Sequence, residues 1–148
     1  MAELSVGDRA PDFRMPTDDG VIAMADLKGR AIVLYFYPKD DTPGCTKEAI
    51  AFSAHKAEFE RRGATVIGVS RDSAQSHGKF RKKHDLTIAL GADPEGEICA
   101  AYGVWGEKSL YGRKYMGIDR STFLIDGEAV IRRIWRKVKV PWHAEEVL

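Results

Sequence analysis

The chain has 148 residues, enough for one domain with a core able to fold unaided. Its 23 Lys+Arg nearly cancel its 22 Asp+Glu, which leaves no global field to draw nucleic acid or an anionic lipid surface. Two cysteines make no disulfide framework, and no apolar run approaches the ~20 residues that span a bilayer.

The opening Met-Ala-Glu-Leu-Ser-Val-Gly-Asp-Arg lacks the apolar core of a signal peptide, so a reducing cytoplasm is the expected compartment. Residues 8–28 are turn-rich, with Asp18-Asp19-Gly20 as the tip of an N-terminal hairpin. Ala31 to Tyr37 is a continuous apolar run, the signature of a strand buried on both faces. A helix is expected from Thr42 to about Arg62, stopped by Gly63. A second buried strand follows at 64–70, then a helix over 73–84 capped by Ser73. A short strand over 86–90 and a helix opening at Asp93-Pro94 come next. Strands at 121–125 and 129–138 flank the turn Asp126-Gly127, and Pro141 begins a last helix. Strands alternating with helices, then a terminal hairpin and helix, give one α/β domain over 1–148, a mixed sheet flanked by helices. A right-handed β-α-β unit places the start of the 42–62 helix at the C-terminal edge of the sheet, where such folds hold their sites.

That helix start carries the chemistry. The run Tyr35-Phe36-Tyr37-Pro38-Lys39-Asp40-Asp41-Thr42-Pro43-Gly44-Cys45-Thr46 leaves the strand at Pro38 and turns. Thr42 suits the N-cap and Pro43 the first helical position, where a missing N–H costs nothing. Cys45 then falls at the third helical position, where a capping box would carry a glutamate. The field that favours a carboxylate there favours a thiolate, the nucleophilic form. Backbone N–H groups of Gly44 and Cys45 add to that field.

Pro38-x-x-x-Thr42-x-x-Cys45 resembles the active-site signature of peroxiredoxins, thiol enzymes that reduce hydroperoxides. The stretch from Tyr35 to Glu48 is similar to the bacterioferritin comigratory protein (PrxQ) subgroup. So are Gly7-Asp-Arg-Ala-Pro-Asp-Phe, Tyr102-Gly-Val-Trp-Gly-Glu-Lys-Ser with Gly112, and Arg120-Ser-Thr-Phe-Leu-Ile-Asp. The resemblance implies a thioredoxin-like fold and an antioxidant peroxidase without cofactor or metal. It implies hydroperoxide as substrate, thioredoxin, glutaredoxin or glutathione as reductant, and a monomer or weak homodimer. Cys45 matches the peroxidatic cysteine, Thr42 the hydroxyl that holds the peroxide, Pro38 the shield over the thiolate, and Arg120 the arginine beside sulfur and peroxide. A guanidinium suits that task, being always charged and offering several donors.

Many members of the subgroup carry a resolving cysteine five residues after the first; here that residue is Ile50. The following helix, 73–84, holds no cysteine either. Only Cys99 remains as a resolver, against a reading as a buried, inert helix residue. One-cysteine behaviour is therefore expected: Cys45 sulfenic acid, recycled by an outside thiol and exposed to over-oxidation. A peroxide sensor using the same sulfenic acid is the non-catalytic rival. A disulfide oxidoreductase is opposed by Thr42, standing where Cys-x-x-Cys would need a thiol.

The other candidates have plainer readings. His55, His77, His84 and His143 show no metal-ligand spacing and read as solvated side chains. Asp40 and Asp41 read as turn formers that oppose thiolate formation. Trp105 reads as packing or as the lip of a pocket. The alternating basic run from Arg132 to Lys139 reads as the solvated face of an edge strand, with a docking patch for an acidic reductant as the sharper alternative.

Overall fold

A computed structural model of the protein describes residues 4–18, 20–110, 112–136, 138, 143 and 147. An N-terminal hairpin, β1 (Arg14–Thr17) and β2 (Gly20–Ala23), pairs Thr17 with Gly20 across the expected tip and leads into a 3-10 turn at Met24–Leu27. The main sheet has the order β5-β4-β3-β8-β9, from β3 (Ala31–Phe36), β4 (Ala64–Ser70), β5 (Ala89–Ala92), β8 (Ser121–Ile125) and β9 (Ile131–Trp135). Strands β3, β4 and β5 run parallel, while β8 and β9 are antiparallel to their neighbours. The helices are α1 (Pro43–Ala54), α2 (Lys56–Arg61), α3 (Ala74–His84) and α4 (Glu97–Ala101). This is the thioredoxin-like mixed sheet, flanked by helices and preceded by a hairpin.

The continuous apolar run of β3 is explained by burial on both faces. Ile32, Leu34 and Phe36 enter one core with Met15, Cys99, Tyr102 and Phe123. Val33, Tyr35 and Tyr37 enter the other with Cys45, Phe52, Phe59 and Phe80. Period-two alternation thus divides the interior into two cores with the sheet between them.

Several elements differ from their expected bounds. The 42–62 helix breaks at His55, where ψ is 5°, into α1 and α2; Gly63, at φ 78°, ends it as expected. The short strand lies at 89–92 rather than 86–90: Leu86 and Ile88 are buried without pairing, so their apolar character reported burial and not a ladder. Gly91 belongs inside β5 because a Cβ there would stand 2.7 Å from the Met15 side chain. Helix α4 starts at Glu97, and the Asp93 carboxylate accepts from the Ile98 and Cys99 N–H groups.

A hairpin that the pattern did not suggest, β6 (Trp105–Leu110) with β7 (Arg113–Ile118), forms a separate two-stranded sheet. The edge strand β9 spans 131–135, shorter than expected. Its Arg132 meets Asp126 at 2.6 Å, and the Arg133 guanidinium lies 4.5 Å over Trp135, as befits an edge face. Pro141 and Lys139 lie outside the described residues; His143 and Val147 are helical and buried. Among the described residues no helix is long and apolar enough to cross a membrane.

Candidate active site

Strand β3 ends at Phe36, the chain turns through residues 37–42, and α1 begins at the C-terminal edge of the sheet. Thr42 is extended (φ −96°, ψ 154°) and Pro43 takes the first helical position, which puts Cys45 at the third as expected. One detail departs from expectation. The Thr42 hydroxyl does not cap α1; it donates to the Lys39 carbonyl at 2.9 Å and closes the turn instead. The first N–H groups of the helix therefore receive no cap from the Thr42 side chain, which leaves their field to the sulfur within the same first turn.

Topology supplies the countercharge. β8 runs antiparallel to β3 with Ser121 opposite Phe36, so the residue just before Ser121 arrives beside the end of β3. That residue is Arg120. One guanidinium nitrogen donates to Cys45 Sγ at 3.2 Å and the other to Glu48 Oε1 at 2.5 Å. Glu48 follows Cys45 by three residues, which places both on one face of α1. Cys45 is 2% exposed and Glu48 1%. The Arg120 carbonyl accepts from the Val138 N–H at 2.9 Å, so the segment beyond β9 anchors the arginine's backbone. Gly44 provides the room: a Cβ there would stand 3.3 Å from the nearer guanidinium nitrogen.

Burial sets the electrostatics of this cluster. It pushes the Glu48 carboxyl up to about 7, against the opposing pull of Arg120 by charge and hydrogen bond. For Arg120, burial works against the charged form, yet Glu48 and then Cys45 outweigh it and hold the guanidinium above its ordinary range. Tyr35, buried behind the sulfur, is raised by burial first and by Glu48 and Cys45 after it. Its hydroxyl and Glu48 Oε2 have no hydrogen-bond partner among the described residues.

The remaining candidates divide. Pro38 stands exposed at the end of β3 and Thr42 is half-buried, both on the loop that delivers Cys45. Cys99 belongs to the opposite core, fully buried, and burial with Asp93 beside it pushes its thiol well above the ordinary range. Ile50 is exposed on α1. Trp105 packs against the core under the Arg71 guanidinium, 4.3 Å from its ring centre. The reading of the histidines as solvated is wrong for two of them. His77 is fully buried, and His143 is buried with Nε2 2.7 Å from the Thr122 hydroxyl; short polar partners within the fold replaced water. His84 is part-buried against Asp41 at 2.9 Å. Asp41 does form the turn, at φ 57°, but Asp40 is buried and heavily hydrogen-bonded. Among the described residues no three His, Cys, Asp or Glu side chains gather as a metal site. Glu48 went unnoticed in the sequence, although its spacing of three from Cys45 would have found it.

Known proteins resemble this chain in sequence and in fold. The AhpC/TSA family profile matches residues 6–134. The chain is 48% identical to peroxiredoxin Bcp of Bacillus subtilis over 146 residues, covering 98% of this chain and 93% of that one. It is 38% identical to peroxiredoxin Bcp of Escherichia coli over 149 residues, covering 100% and 96%. Among solved structures, a mutant PrxQ of Xylella fastidiosa superimposes with a TM-score of 0.92 at 40% identity, covering 99% of this chain and 94% of that one. The bacterioferritin comigratory protein of Xanthomonas campestris, studied for its alkyl peroxide reduction activity, gives 0.86 at 41% identity, covering 91% and 87%.

Proposed function

Because the chain belongs to the AhpC/TSA family and, within it, to the Bcp (PrxQ) peroxiredoxins, we propose that Cys45 is the sulfur with which it carries out thiol-dependent peroxide reduction. The observation that carries this assignment is the Arg120 nitrogen 3.2 Å from Sγ, at the opening turn of α1. The Cys45 thiolate attacks one oxygen of ROOH along the O–O axis. The S–O bond forms as the O–O bond breaks, the sulfur losing two electrons to the peroxide. RO⁻ leaves and takes up a proton as ROH, while Cys45 is left as sulfenic acid. The guanidinium donates to oxygens that gain charge as this happens, and Glu48 fixes its orientation through the second nitrogen. Thr42, on the same loop, offers a hydroxyl that would exchange the Lys39 carbonyl for peroxide. Pro38, exposed at the start of that loop, is the residue that would shield the thiolate from solvent.

Recycling falls to an external thiol, of which thioredoxin, glutaredoxin and glutathione are the candidates in a reducing cytoplasm. That thiol attacks the sulfenic sulfur and expels water, and a second thiol then frees Cys45 from the mixed disulfide. A resolving role for Cys99 is disfavoured by its place in the core on the far side of the sheet, since a disulfide needs Cα atoms within about 7 Å. Substitution tests the scheme. Cys45→Ser is expected to abolish peroxide consumption, and Cys99→Ser to leave turnover with dithiothreitol intact; an inactive Cys99→Ser protein would reverse the roles.

A further inference from the structure

Asp40, His77 and Tyr37 form a buried polar cluster that the chemistry above does not use. Asp40 Oδ1 accepts from the Tyr37 hydroxyl at 2.5 Å, while Oδ2 accepts from the Ser76 hydroxyl at 2.8 Å and lies 2.7 Å from His77 Nδ1. The other ring nitrogen of His77, Nε2, lies 3.1 Å from the Gly91 carbonyl of β5. A carbonyl only accepts, so Nε2 carries a proton and the proton between Nδ1 and Oδ2 is shared by the Asp–His pair. The side chains of His77 and Asp40 are 0% and 4% exposed. An apolar pair would fill this space without desolvating two ionisable groups; what this pair adds is a hydrogen-bonded link from the Asp40 loop to α3 and β5.

What it positions is the loop that delivers the reactive sulfur. Asp40 lies midway between Pro38 and Thr42, its backbone N–H donates to Asp72 at 2.8 Å, and Asp41 next to it holds a left-handed φ of 57°. Aspartate tolerates this conformation in turns, and here its carboxylate is held by Lys83 at 2.7 Å and His84 at 2.9 Å, both on α3. The Lys39 carbonyl, which receives the Thr42 hydroxyl, directly precedes Asp40. We propose that His77 is a positioning residue for the Cys45 reaction, acting through the Asp40 carboxylate to hold the Pro38–Thr42 loop against α3 and β5. The proposal rests on the assignment of Cys45 made above.

Two substitutions separate this role from simple packing. Asn in place of His77 keeps a donor near the Nδ1 position and can still serve Asp40; Gln keeps one near Nε2 and can serve only Gly91. Oxidation of Cys45 by hydrogen peroxide, followed by mass spectrometry, is compared with its alkylation by iodoacetamide, a reaction that needs the sulfur but not the peroxide geometry. His77→Gln is expected to slow the peroxide reaction about tenfold while alkylation stays level or rises, and His77→Asn to stay within about threefold of wild type. Equal losses in the two variants, or a parallel fall in both reactions, would overturn the proposal. Should His77→Gln not fold, Ser76→Ala removes another donor to the same oxygen from a half-buried position. It is expected to slow peroxide alone by about threefold, and an unchanged rate would count against the role. If wild-type Cys45 itself resists peroxide, the assignment of the sulfur fails first; if it reacts and the His77 variants match, only the present inference falls.

Discussion

Glu48 is the residue whose environment has the clearest thermodynamic consequence. Its carboxyl rises from 4.5 to about 7 on folding, so between those values the native state binds a proton that the unfolded chain has released. Glu48 therefore favours the fold fully below pH 4.5 and loses that contribution as pH rises through about 7, a difference on the order of 3 kcal/mol. Glu48→Gln keeps an acceptor for Arg120 without the titration. Its urea midpoint is expected to fall less between pH 5 and pH 8 than the wild-type midpoint, and parallel curves would show that the site does not titrate there. Arg120 makes a different point. A lysine offers a point charge on a flexible stem in place of the two fixed nitrogens that face Sγ and Glu48 Oε1. Arg120→Lys is expected to lower the second-order rate with hydrogen peroxide by about 10²-fold, the scale for losing one oriented donor, as read by stopped-flow peroxide consumption.

At the scale of elements, the start of α1 sets stability against reactivity at a single position. Gly44 has no positive φ, so alanine fits its backbone and gains about 1 kcal/mol of helix propensity. Its Cβ would press on the Arg120 nitrogen that serves the sulfur. Gly44→Ala is thus expected to hold or raise the melting temperature while slowing the peroxide reaction about tenfold; a variant as fast as wild type would show that the guanidinium yields without cost. Much of this element was legible in the sequence, because strand exit, Pro43 and Cys45 are local signals with local causes. The partners that complete it were less so. Arg120 is brought in by the β3–β8 register, so only the family resemblance could single it out among the arginines. His77 and Asp40 are 37 positions apart, and nothing in either neighbourhood announces that they meet. The β6–β7 hairpin escaped for a related reason: it stands outside the main sheet and is not stamped with the alternation that a buried ladder imposes.

For the molecule as a whole, the decisive feature is a sheet that assigns each sulfur to its own core. Wild-type protein given one equivalent of peroxide is expected to gain a single oxygen atom by intact mass. Loss of two hydrogens, the mark of an internal bridge, would mean that the fold opens far enough for Cys99 to cross. The same global view reaches the far end of the chain. His143 rests on Thr122 of β8, Val147 is buried in the core that holds Cys45, and the Val138 amide ties back to Arg120. Clipping the polypeptide after Trp135, or crowding that region with a purification tag, would loosen the arginine's tether without changing any residue that meets the peroxide. The resulting enzyme would look poisoned at its centre when the damage lay only at its tail.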